Sequence, residues 1–121
     1  MRFTFLFATL LAISGPWLQA DDLIFEVDAQ PLRAQVHRLT EALSMVGRPL
    51  SERQIDRIKE LETEPGDVYV TKIQQLLDEL VIANVHINPE SRVKASAGSA
   101  KPILDQNGWT VFLVKVHNEA A

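Results

Sequence analysis

The chain has 121 residues, a formal net charge of −4 and no cysteine. That length suits one small domain with one modest core, and the missing thiols exclude disulfides and thiolate-held structural zinc, leaving burial to stabilise the fold. Its basic residues are scattered through a mildly acidic chain, which offers no continuous positive surface to a phosphate backbone, so nucleic acid is not an expected partner.

Residues 1–20 have the order of a secretory signal: Arg2, an apolar run over 3–13, the breaker Ser14-Gly15-Pro16, and a small residue at Ala20. Eleven residues rise only about 16 Å as a helix, against roughly 30 Å of bilayer core, so cleavage is expected rather than anchoring. The expected cut follows Ala20, with Leu18 bulkier than the usual small residue at the third position back. Without a cysteine near the cut no lipid can be attached, and no stable membrane anchor is expected. Loss of Arg2 takes the net charge from −4 to −5 and leaves a domain of about a hundred residues, 21–121, exported to the periplasm or beyond.

Residues 23–27 form a short apolar run, read as a brief strand or extended lead-in, and Asp28 can cap a helix whose first turn accommodates Pro31. Leu32, Val36, Leu39, Leu43 and Val46 then fall on one helical face. Gly47 and Pro49 supply the stop. Ser51 and Gln54 have capping-box spacing before a second one-sided helix carrying Ile55, Ile58 and Leu61, and its short linker to the first predicts a helical hairpin. Pro65-Gly66 ends it, and Asp67 can cap a third helix with Val70, Ile73, Leu76, Leu77 and Leu80. The β-branched run 68–71 is a poor first turn for that helix.

Near Leu80 the period changes from about 3.6 to 2: Val81, Ala83, Val85 and Ile87 alternate with Ile82, Asn84, His86 and Asn88, predicting a half-buried strand. Residues 88–91 have turn chemistry, and the small polar passage 95–101 reads as a surface loop. Residues 109–117, rich in aromatic and β-branched types, give the strongest strand signal, with Phe112, Val114 and Val116 on a wholly apolar face. The expected architecture is α+β: three helices, a hairpin plus one, on a sheet of two or three strands. So apolar a strand needs partners at its edges and a cover on its face. The few strands available point to a chain that is the front of something larger.

Residues 86–94 (H-I-N-P-E-S-R-V-K) and 108–120 (G-W-T-V-F-L-V-K-V-H-N-E-A) resemble a junction in large exported bacterial proteins of uncertain role. In those proteins helices precede the junction and a β-sandwich-like region follows it; some carry a PHP-type metallohydrolase-like module further on. None of that module's metal-binding residues is present. The resemblance implies a non-catalytic N-terminal portion, cut short of the rest.

No motif reaches catalytic specificity. The serines lack a nucleophile elbow, the passage 96–99 lacks the spacing and lysine of a phosphate loop, and Glu60, Glu62 and Glu64 read as a solvated face rather than paired general acids. No cofactor, and no metal as a default, is expected. His86 and His117 are the pair to test for metal, since each lies on the more polar side of its strand and they approach if the strands pair, with Asp105 or Glu90 to complete a site. His37 points away from its helix's apolar stripe. Arg92 and Lys94, with Lys115, are a candidate basic patch, and Trp109 is a candidate contact residue or strand anchor. The leading reading is a non-catalytic interaction or scaffolding module of a larger secreted protein, with protein as partner. A self-sufficient small periplasmic binding protein and a metal-assisted hydrolase are the alternatives.

Overall fold

A computed structural model describes residues 23–24 and 26–120, so the expected signal sequence over 1–20 and Phe25 lie outside the described residues. Three helices come first: α1 (Ala29–Met45), α2 (Glu52–Leu61) and α3 (Gly66–Asp78). Three strands follow: β1 (Val81–Ile87), β2 (Val93–Ala97) and β3 (Leu113–Asn118). The fold is the α+β arrangement expected.

Each helix is bounded by local chemistry. Asp28 occupies the N-cap of α1, but its side chain makes no capping hydrogen bond. At the other end Gly47 takes φ +75. Its N–H donates to the Ser44 carbonyl at 3.1 Å while the Arg48 N–H donates to the Leu43 carbonyl at 2.9 Å, the paired closure that a left-handed glycine permits. Val46, expected on the buried stripe, sits at this cap and is 58% exposed. α2 opens with the reciprocal box: Gln54 N–H donates to Ser51 Oγ at 3.3 Å and Ser51 N–H donates to Gln54 Oε1 at 3.0 Å. α3 starts one residue before the expected cap. Pro65 is its N-cap and Asp67 lies in its first turn, where a carboxylate favours the helix dipole. The β-branched run there stays helical because Tyr69 and Val70 are buried, and packing outweighs propensity.

Val36 and Leu43 of α1, Ile58 and Leu61 of α2, and Tyr69, Val70 and Ile73 of α3 share one core with Leu50. Arg33 stitches it from outside. Its guanidinium donates to the carbonyls of Glu62 at 2.7 Å and Glu64 at 2.8 Å, beyond the end of α2, and lies 3.9 Å above the Tyr69 ring, a cation–π contact. Among the described residues the lead-in forms no strand. Gln74, buried on α3, pairs with Ile24 instead: its Oε1 accepts from Ile24 N–H at 3.1 Å and its Nε2 donates to the Ile24 carbonyl at 2.7 Å. An amide side chain thus does for this segment what a neighbouring strand's backbone would.

The sheet has the order β2-β1-β3, with β1 antiparallel to β2 and parallel to β3. Two sequence expectations need correction. The passage 95–101 is not all loop, because Val93–Ala97 pairs with β1 through residues too small and mixed to show a strand period. Backbone groups alone hold a hairpin partner, and its turn is fastened by Asn88, whose Oδ1 accepts from Arg92 N–H at 2.8 Å. The last strand begins at Leu113, not Trp109, and Trp109 is 83% exposed rather than an anchor. Gly98 follows β2 where a Cβ would stand 2.1 Å from the Val81 carbonyl oxygen, so only glycine fits.

Tyr69 is the chain's only tyrosine. Burial raises its phenol pKa above the ordinary 10.0, the Arg33 guanidinium pulls it partly back, and Glu62 adds to the rise. The unfolded chain therefore loses this proton first, and the stability that the buried neutral phenol contributes is intact below the ordinary value and lost as pH climbs through the folded one. Urea midpoints measured upward from about pH 9 are expected to fall more steeply for the parent than for Tyr69→Phe; parallel declines would contradict this.

Candidate functional site

The register of the sheet sorts its side chains. Between Val81 and Ala83 the pairing with β3 shifts: Val81 stands opposite Leu113, yet Ala83 stands opposite Val114. Ile82 is the extra residue of a bulge. Beyond it Asn84, His86, Lys115 and His117 share one face, with Lys94 and Ser96 of β2 beside them. The apolar Ala83, Val85, Ile87, Val93, Ala95, Ala97, Val114 and Val116 share the other, with Asn118 at its end opposite Ile87.

The polar face is the one turned toward the helices. Lys115 reaches Asp78 at the end of α3, with both carboxylate oxygens 3.0 Å from Nζ and both side chains largely buried at 14% and 13% exposure. A cleft of about 550 Å³ lies beside this pair, lined by Ile24 and Glu26 of the lead-in and by Asn84, His86, Lys94 and His117. The helical core meets the sheet near its start, where Val81 is buried and Leu113 packs against it together with Val111 of the preceding segment.

The eight-residue apolar face is open. Val93, Val114 and Val116 are 66%, 54% and 56% exposed, and the central-strand residues Ala83, Val85 and Ile87 are half-buried between their neighbours. The sequence pattern placed Val114 and Val116 on an apolar face correctly; because Leu113 packs against the helices, the regular alternation of β3 turns that face outward, and the bulge in β1 brings Ala83, Val85 and Ile87 to the same side. Ile103, Leu104 and Trp109 in the β2–β3 connection add exposed apolar surface.

His86 and His117 are direct register partners. Their rings stack with centroids 5.0 Å apart and planes 10° from parallel. The group that joins them is Glu119, which sequence reasoning missed: its carboxylate lies 3.1 Å from His86 Nε2 and 3.8 Å from His117 Nε2. Neither expected third partner is near. Asp105 is paired with Arg48, and Glu90 accepts from Asn88 Nδ2 at 2.7 Å. His37 is exposed on α1, 3.7 Å from Glu41. The expected basic patch is reduced, because Lys115 is neutralised by Asp78 while Arg92 and Lys94 are exposed. Among the described residues, no helix is long and apolar enough to cross a membrane. Comparison of the chain with protein-family models, curated proteins and solved structures returns no match.

The Lys115–Asp78 pair fastens the sheet to α3, and a lone buried carboxylate is costly. Lys115→Met is expected to lower unfolding free energy by about 3 kcal/mol, and adding Asp78→Asn should restore part of it. Chemical denaturation of both variants checks this, and a single variant as stable as the parent would refute it.

Proposed function

We propose that this chain is an exported, non-catalytic interaction module of a larger secreted protein, its sheet forming one layer of a two-layer β structure. The observation that carries the reading is the open face of eight apolar side chains. A sheet with one polar and one apolar face ordinarily buries the apolar one, and a contiguous exposed apolar patch marks a contact surface. Here the helices and the lead-in stand on the polar side, so the cover has to come from elsewhere. The occupant we assign is a second sheet supplied by a following region of the same polypeptide, packed face to face about 10 Å away. The resemblance of residues 86–94 and 108–120 to a junction followed by a β-sandwich-like region supports that occupant. The secretory pattern of residues 1–20 supports export.

The purified chain alone is expected to self-associate with rising concentration in sedimentation velocity and to enhance the fluorescence of an apolar dye. The double variant Val114→Lys with Val116→Lys should be monomeric and dye-silent at an unchanged melting midpoint. A parent chain that stays monomeric and dye-silent contradicts the proposal, as does a double variant that behaves like the parent.

A further inference from the structure

We propose that His86, His117 and Glu119 form a surface site for a borderline divalent transition metal, for which Zn²⁺ is the natural probe. The donor atoms of the three residues all lie within 4.8 Å of one another. Metal–nitrogen bonds of about 2.0–2.1 Å place donors roughly 3.3 Å apart in a tetrahedral shell, a spacing that the 3.1 Å and 3.8 Å separations from Glu119 already approach. Both imidazoles present Nε2 to the same carboxylate, and turning one or both stacked rings about χ2 brings their in-plane lone pairs onto one ion.

The backbone fixes this convergence. His86 and His117 are paired on neighbouring parallel strands, and their near-parallel rings at 5.0 Å follow from strand spacing. Glu119 is held just past the end of β3 by its own N–H, which donates to the Ile87 carbonyl at 2.9 Å. The backbone of all three donors is therefore fixed before an ion arrives, and the ordering left for binding is rotation of the side chains.

The chemistry of the set selects the ion. Two neutral imidazoles and one carboxylate bring a single negative charge, which suits a divalent cation of borderline softness and disfavours Ca²⁺ and Mg²⁺, whose shells are built from oxygen. The side chains of His86, His117 and Glu119 are 46%, 32% and 40% exposed, so an ion reaches them directly and keeps a position open to water. Lys94, the cross-strand partner of His86, lies on the same face and is exposed. Its charge opposes the cation and moderates affinity. The site is on the polar face, opposite the apolar one, so it does not rest on the docking proposal.

Zn²⁺ titrated into metal-stripped protein in a calorimeter is expected to bind once per chain and to raise the melting midpoint as its concentration rises. His86→Ala, His117→Ala and Glu119→Gln should each weaken binding by at least about tenfold, while His37→Gln leaves it unchanged. Because all three donors are partly exposed, the variants should melt like the parent in chelator, which separates lost binding from lost folding. Absence of saturable binding overturns the proposal. So does binding that survives all three substitutions, or that is abolished by His37→Gln.

Discussion

Between Val81 and Ala83 β1 advances two residues while β3 advances one, and this one extra residue decides which face of β1 meets the helices and so matches it to β3. Without the bulge, Val81 would set the parity of the whole strand and Ala83, Val85 and Ile87 would follow it toward the core. With it, Val81 and Leu113 remain on the helical side while Asn84 and His86 take the inward positions after them. Period-two alternation makes such a shift all-or-none, so every later pair in the sheet inherits it. The alignment of His86 with His117, the polar cleft beside them and an apolar face continuous across all three strands follow from this one local irregularity, while the Lys115–Asp78 pair and the exposed Val114 and Val116 follow from the regular alternation of β3 after Leu113.

The helices, by contrast, form a self-consistent unit. Their apolar stripes converge on Tyr69, Leu61 and Ile73, the most deeply buried large side chains, and Arg33 satisfies carbonyls beyond α2 while covering Tyr69. The sheet is attached to this unit at its near end by Val81 and Leu113 and along its inner face by the Lys115–Asp78 pair. An ion pair gives orientation at little net gain, since desolvating both charges offsets much of their attraction. The sheet's far half therefore depends on its own backbone ladder and on whatever covers its apolar side.

How far the sequence carried this picture depended on whether the signal was local. The stop at Gly47, the box at Ser51 and Gln54, and the stripe through Val36 and Leu43 are each set by contacts within a few residues, and each was legible. The helical run through Tyr69 and Val70 was less so, since burial there overrides propensity, and the importance of Gln74 as a backbone surrogate for Ile24 has no sequence signature. β2 was missed because an edge strand of alanine, serine and lysine is defined by its partner rather than by its pattern. For the site, alternation alone brought His86 and His117 together, but it could not locate Glu119, which lies past the strand. Nor could it locate the bulge, which is a property of two strands and not of either one.

Methyl relaxation in the presence of a soluble nitroxide, recorded on dilute and still monomeric protein, measures directly whether the apolar face is open. The account predicts strong broadening for Val93, Val114 and Val116 and little for Val81, Ile73 and Leu61. Protection of the three valines comparable with that of the core methyls would mean that the chain covers its own sheet, and the case for an external second layer would fall.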